Sequence, residues 1–132
     1  MNLIDKIAWV CIKNRKVLFV RSKGKDAFYN PGGKREGAES DSEALIREIK
    51  EEVSVDLLPA TIKYLETFIA QAHGKPAGTR VEIKCWTADF VGDLRPNSEI
   101  EELAWLTSND AARTSPTGQL TLAWLKRKNL ID

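Results

Sequence analysis

Glu48, Glu51 and Glu52 fall close together in the run Arg47-Glu48-Ile49-Lys50-Glu51-Glu52, shortly after a Pro31-Gly32-Gly33 turn. On a helix advancing 100° per residue they share an arc of roughly 100°. Like charges at such spacing repel, each pair costing about 0.2–0.5 kcal/mol. The trio also sits toward a helix C-terminus, where the macrodipole disfavours anions. Lys50 points away from Glu48, so no cation of the helix itself neutralises all three. An acidic face that is unfavourable on both counts fits a bound cation, and a hard divalent metal taking oxygen ligands is the natural one.

The elements that must position these groups can be read from the flanking pattern. Ser40-x-x-Glu43 fits a capping box, so the acidic helix is expected to start near Ser40. Leu45, Ile46, Ile49 and Val53 form its apolar stripe, with the carboxylates beside it. Residues 6–12 and 17–21 are β-rich runs around Lys13-Asn14-Arg15-Lys16, a hairpin signal. Residues 24–33 read as a loop, and Pro59 closes the loop that follows the helix. Strands are expected over 61–70, 80–91 and 103–107, with a turn at 73–78 between the first two. Ser108-Asn109-Asp110 reads as the cap of a short helical turn. A last helix over about 116–128 is expected to face the core with Leu120, Ala123, Trp124 and Leu130. Hairpins alternating irregularly with two helices predict an α/β (α+β) fold, a mixed β-sheet with helices on its faces. No repeat, low-complexity tract or linker interrupts the sequence, so one domain over residues 1–132 is expected.

The chain has 132 residues, 42% hydrophobic and 30% charged, a globular composition. Its net charge of +1 supplies no general pull toward nucleic acid or an anionic membrane. An anionic ligand must therefore be held locally. Cys11 and Cys85 lie in apolar runs without metal-ligand spacing and read as buried free thiols in a reducing compartment. The N-terminal stretch reads as a first strand rather than a signal peptide, and no run reaches the ~20 apolar residues of a membrane span. A cytoplasmic protein with no membrane partner is the expectation.

The segment Gly33 to Val55 resembles the signature of the Nudix hydrolase family, and MutT-like members in particular. Gly33, Glu39, Arg47, Glu48, Ile49, Glu51, Glu52 and Val55 stand at matching positions. Ser54 departs from it, standing where the family has a helix-ending glycine. The resemblance implies a Nudix-type α/β/α sandwich and Mg²⁺- or Mn²⁺-dependent hydrolysis of a nucleoside diphosphate linked to another moiety. It implies Glu51 and Glu52 as principal metal ligands, with Glu48 sharing a metal and taking the proton of the attacking water. The carbonyl of Gly32 is a further implied ligand. Arg47 would lock the orientation of Glu48, and Glu39 would brace the loop against the helix. Glu99, six residues before Trp105, is the implied additional carboxylate, with Glu101 and Glu102 as competitors.

Phe28 and Tyr29 could stack on a base or sugar, or anchor the loop; Lys34 and Arg35 could meet phosphate oxygens. Trp9, Trp86, Trp105 and Trp124 read as core residues. His73, in a Gly/Pro-rich turn, is a poor general base by position, although that turn could rim the substrate cleft. Lys126-Arg127-Lys128 suits a helix C-terminus, and no nucleic-acid polymer is expected as a partner. Position 70 is alanine where ADP-ribose hydrolases tend to have proline, and positions 72 and 73 lack the tyrosine of dinucleoside polyphosphate hydrolases. Elimination leaves nucleoside triphosphates, oxidised ones among the candidates, cleaved to monophosphate and pyrophosphate. A nucleotide sugar, a dinucleotide or non-catalytic nucleotide binding stay open as alternatives, as does a homodimer.

Overall fold

Asn14 and Arg15 have φ angles of 53° and 61°, and Lys13 pairs with Lys16 across them. Two positive-φ residues give the turn whose twist matches a hairpin. It joins β2 (Ile12–Lys13) to β3 (Lys16–Ser22), with β1 (Asn2–Trp9) ahead of them. The structure, a computed structural model, describes residues 2–132, without the side chain of Asn2; Met1 lies outside the described part. The elements that follow are β4 (Gly32–Gly33), α1 (Asp41–Val53), β5 (Asp56–Leu57), β6 (Lys63–Gln71), β7 (Thr79–Thr87), β8 (Phe90–Val91), β9 (Ile100–Leu106) and α2 (Pro116–Arg127). Short 3-10 helices occupy Pro59–Thr61 and Ser108–Arg113.

A four-stranded sheet runs β4-β1-β7-β6 and a three-stranded one runs β2-β3-β9. In the first, β1 lies parallel to β7 while both outer pairs are antiparallel. The sheet is therefore mixed. Successive side chains of a strand face opposite ways, and here the two directions lead to two helices. Ile7 and Trp9 of β1 join Leu18 and Val20 of β3 in one core with Leu45, Ile49 and Val53 of α1. Ala8 and Val10, with Val17 and Phe19, join a second core with Leu122 and Leu125 of α2. Strands sandwiched between one helix on each side make a mixed α+β fold of α/β/α layers. Full burial of a leucine or isoleucine removes enough apolar surface to contribute roughly 1.5–3 kcal/mol. The aliphatic stripe of α1 thus fixes how that helix is rotated, and with it where the carboxylates go.

Several boundaries differ from expectation for local reasons. The strand expected over 80–91 breaks after Thr87. There the Asp89 carbonyl accepts from the Leu58 N–H at 2.8 Å, and the Asp89 N–H donates to Thr61 Oγ1 at 2.8 Å. Phe90 and Val91 then pair with β5 instead. The strand expected from 103 begins at Ile100, since Glu102 pairs with Arg21 of β3 across a bulge. The short turn is capped by Thr107 rather than Ser108, in a capping box with Asp110. The expected core face of α2 holds for Trp124, which packs against the second core, and fails for the other three residues. Leu120, Ala123 and Leu130 are exposed and Trp124 is half-buried, whereas Thr117, Gly118, Thr121, Leu122 and Leu125 are buried. Gly118 sets this rotation: a Cβ there would stand 2.9 Å from both the Phe19 ring and the Thr114 side chain. The helix approaches the sheet through its small face.

Candidate active site

Ser40 caps α1 as the capping box requires, with its hydroxyl accepting from the Glu43 N–H and the Glu43 side chain accepting from the Ser40 N–H. The helix ends at Ser54, left-handed at φ 70°, the conformation glycine adopts most freely. The Ser54 N–H donates to the Lys50 carbonyl at 3.2 Å, and its hydroxyl donates to the Arg95 carbonyl at 3.1 Å. The residue that departs from the signature therefore keeps the expected backbone path.

Edge strand β4 is two glycines, and that is what lets the helix reach across it. Gly32, at φ 149°, has no room for a side chain, since a Cβ would land on the backbone of Ile7 and Ala8. Its N–H donates to Glu52 Oε1 at 2.8 Å. A Cβ on Gly33 would land on the carboxylate of Glu48. Glu52 is only 3% exposed. Burial, reinforced by the nearby charges of Glu48 and Glu99, pushes its carboxyl up to about 8, against the lowering effects of the Gly32 N–H and Lys6. Burial likewise raises Glu48, with Arg47 opposing.

Arg47 ties this face together. It donates to both carboxylate oxygens of Glu39 at 2.7 and 2.8 Å, to the Lys34 carbonyl at 3.0 Å and to Glu48 Oε1 at 2.7 Å. Glu51, largely exposed, lies 3.4 Å from the same guanidinium. The Arg47 bonds hold the Glu39 carboxyl down to about 2. Such a bidentate pair fixes the loop 33–39 to the helix.

A cavity of about 680 Å³ opens beside these carboxylates. Glu48, Glu52 and Glu99 line it together with Gly32, Gly33, Lys34, Tyr29 and His73. Of the other candidates, Glu51 is turned to Arg47. Glu102 bonds Arg21 at 3.0 Å, and Glu101 is exposed on β9 without lining the cavity. Phe28 is buried in the α2-side core, with the Arg113 guanidinium 5.0 Å from its ring. Tyr29 reaches the cavity and hydrogen-bonds Ser22. Arg35 is spent on Asp41 and, at 2.8 Å, on Asp5. Cys11 and Cys85 are free and buried, their thiols pushed up to about 11 and 12 by burial.

Lys6, Lys25 and Lys75 also line the cavity, and sequence reasoning did not find them. Burial and the neighbouring lysines Lys34 and Lys75 lower the Lys6 ammonium. Lys6 did leave one signal: in the register Ile4, Lys6, Ala8, Val10 it occupies an otherwise apolar face. Lys25 and Lys75 sit in turns of unremarkable composition and left none.

The carboxylates fit a divalent metal in donor type. Glu52 is an oxygen donor buried with one backbone N–H as its partner, and a lone buried carboxylate is costly unless a cation joins it. Hard oxygen ligands of this kind suit Mg²⁺ or Mn²⁺. Among the described residues, no group of three His, Cys, Asp or Glu side chains is gathered tightly enough to hold a metal; Glu48 and Glu51 lean on Arg47 instead. Nor, among them, is any helix long and apolar enough to cross a membrane.

A sandwich that presents helix carboxylates and several lysines to one cavity has the makings of an enzyme acting on a polyanion. Comparison with known proteins sharpens this. The sequence matches the NUDIX domain over residues 5–125, and the chain belongs to that family. It is accordingly a Nudix hydrolase, acting on phosphoric anhydride bonds. No curated protein matches the sequence. Among solved structures, the chain is similar to the MutT NUDIX hydrolase from Burkholderia pseudomallei, with TM-score 0.76, 19% identity, and 93% of this chain and 98% of that one covered. The ORF135 protein of E. coli has TM-score 0.70 and 23% identity over 96% and 92% of the two chains. The dihydroneopterin triphosphate pyrophosphohydrolase of E. coli has TM-score 0.67 and 18% identity over 92% of each. At these identities the likeness is one of fold.

Proposed function

We propose that this chain, as one domain over residues 1–132, is a Mg²⁺- or Mn²⁺-dependent pyrophosphohydrolase of nucleoside triphosphates that releases nucleoside monophosphate and pyrophosphate. The observation that carries the reading is the cavity, where Glu48, Glu52 and Glu99 share walls with Lys6, Lys34 and Lys75. Its volume of about 680 Å³ lies in the usual range for a small-molecule site. Carboxylates and ammonium groups side by side suit a metal-neutralised polyphosphate better than a neutral ligand. A MutT protein and a triphosphate pyrophosphohydrolase among the similar structures point the same way.

Glu48, Glu51, Glu52, Glu99 and the Gly32 carbonyl would hold the metal, which when bound supplies charge neutralisation at the phosphate oxygens. The lysines bind the remaining phosphate charge. Glu48, whose carboxyl is raised by burial, takes the proton of the attacking water. Arg47, tied to Glu39 and Lys34, is a positioning residue: it sets the Glu48 carboxylate rather than touching substrate. Glu99, on the facing segment, completes the acidic wall. Buried free thiols at Cys11 and Cys85 suit a cytoplasmic setting.

The test is incubation with Mg²⁺ and a panel of nucleoside triphosphates, nucleotide sugars and dinucleotides, separating pyrophosphate from phosphate release. Pyrophosphate and monophosphate from triphosphates are expected. Turnover confined to sugars or dinucleotides would overturn the substrate assignment, and binding without turnover would overturn the catalytic one.

A further inference from the structure

Asn30 is 3% exposed, and neither its side-chain oxygen nor its side-chain nitrogen has a hydrogen-bond partner. Buried carboxamides are almost always paired, so an amide with both ends orphaned calls for an explanation. The residue lines the same cavity as the carboxylates. Its neighbours do not relieve it. Ser115 accepts from the Gly118 N–H at 3.3 Å and lies 3.4 Å from the Thr117 hydroxyl. The backbone cannot turn it away either. Tyr29 exchanges hydrogen bonds with Val20 at 2.8 and 2.9 Å on one side, and the Pro31 carbonyl accepts from the Trp9 N–H at 2.9 Å on the other. A donor and an acceptor are thus held fixed and unused in the cavity wall.

The remaining wall shows what would meet them. Ile4, Val81, Ile83 and Ala72 give the cavity an apolar side, while the carboxylates and lysines are the charged part of its lining. An apolar slot with one fixed polar reader is how small-molecule sites recognise a flat heterocycle. We propose that Asn30 is a specificity-determining residue that reads the substrate's heterocyclic base, along an edge where a hydrogen-bond donor adjoins an acceptor. This rests on the nucleotide reading above and narrows it: the base is bound in the apolar slot and is not left in solvent. A diphosphate whose organic group lacks such a ring leaves the amide unpaired and is selected against.

Calorimetric titration of the full chain with AMP, GMP, CMP, UMP and ribose 5-phosphate tests this without any hydrolysis. At least one nucleotide is expected to bind about 10-fold or more tighter than ribose 5-phosphate. Asn30→Leu, nearly isosteric and apolar, is expected to shrink that margin to within about threefold while leaving ribose 5-phosphate affinity unchanged. Its melting temperature should equal or exceed the wild type's, because an unpaired buried amide has been removed. Asn30→Asp, which keeps the shape but loses the donor, should alter the preferred base and covers the case in which the leucine variant fails to fold. No advantage for any base in the wild type, a margin retained in the variants, or an equal loss on ribose 5-phosphate would each overturn the assignment. Base binding without triphosphate turnover would refute the proposed activity yet leave this role standing; turnover with an unchanged margin in the variants would do the reverse.

Discussion

At the scale of single residues, the carboxylate with the highest cost is Glu52. Its carboxyl is pushed up to about 8 from an ordinary 4.5, chiefly by burial. Below pH 4.5 both the folded and unfolded chains hold the proton, and the group costs nothing. Between pH 4.5 and 8 the unfolded chain ionises while the folded one does not, so stability falls as pH rises, and the loss is complete above 8. In EDTA, Glu52→Gln is therefore expected to melt with the wild type at pH 4 and to be more stable at pH 8, by on the order of 3 kcal/mol. Mg²⁺ should raise the wild-type melting temperature at pH 8 more than the variant's, and the variant's turnover should drop by ~10²-fold or more. Calorimetric scans across pH and a pyrophosphate-release assay check both halves; parallel melting curves at pH 8 would refute the burial argument. Gly33 supports the same carboxylates from the strand side. A methyl there lands on Glu48, so Gly33→Ala should cut kcat by ~10-fold or more while leaving nucleotide monophosphate affinity near wild type, since a misplaced catalytic group costs rate before binding. This part of the site was legible in the sequence because charges on a helix announce their own spacing. Asn30 and Lys75 were not, because a loop residue's partners depend on folding that no local pattern records.

At the scale of elements, α1 was legible to within a residue, and the reason lies in its ends. Ser40 and Glu43 satisfy each other's backbone groups at one end, and the aliphatic stripe has a single face to bury. The α2 face was misread because Leu122 and Leu125 share the buried side with Thr117, Gly118 and Thr121, residues whose small size matters more than their polarity where a helix must approach Phe19 closely. The other end of α1 gives a prediction. Ser54 bears the left-handed strain of a non-glycine residue, about 1 kcal/mol, and recovers part of it through its bond to the Arg95 carbonyl. Ser54→Gly trades strain relief against the lost bond and should lie within about 0.5 kcal/mol of wild type. Ser54→Ala keeps the strain, loses the bond and should cost about 1 kcal/mol. Urea midpoints measure both. An alanine variant as stable as wild type would show that the hydroxyl bond contributes nothing.

At the scale of the whole molecule, β1 and β3 feed both cores, the pairings of β1 with β7 and β3 with β9 join distant stretches of the chain, and a few polar ties add to them at the surface. The hairpin residue Arg15 is the densest of these. It is left-handed at φ 61°, an unusual place for a long side chain, yet its guanidinium bonds Asp132 at 2.6 Å, the Asn129 side chain at 2.9 Å and the carbonyls of Asn129 and Ile131 at 3.1 and 3.2 Å. Its own carbonyl accepts from the Asp132 N–H at 3.0 Å. Ile131, fully buried in the α2-side core, is thereby held beneath the hairpin. The hairpin turn was legible from its composition; this tie was not, because its two partners are more than a hundred residues apart in sequence and nothing local links them. The guanidinium and Asp132 are about half exposed, so their charge adds little in water, and the value of the tie is in seating Ile131. Arg15→Ala is expected to cost about 1–2 kcal/mol, a fall in melting temperature of roughly 3–8 °C. Ile131→Ala, which empties the same pocket directly, should cost about 2–4 kcal/mol. If the guanidinium works by seating Ile131, the double variant loses less than the sum of the two, because each change undoes the same contact. Additive losses in urea titrations of the four chains would show instead that Arg15 serves the turn alone. In every case kcat should stay near wild type, since neither residue lines the cavity.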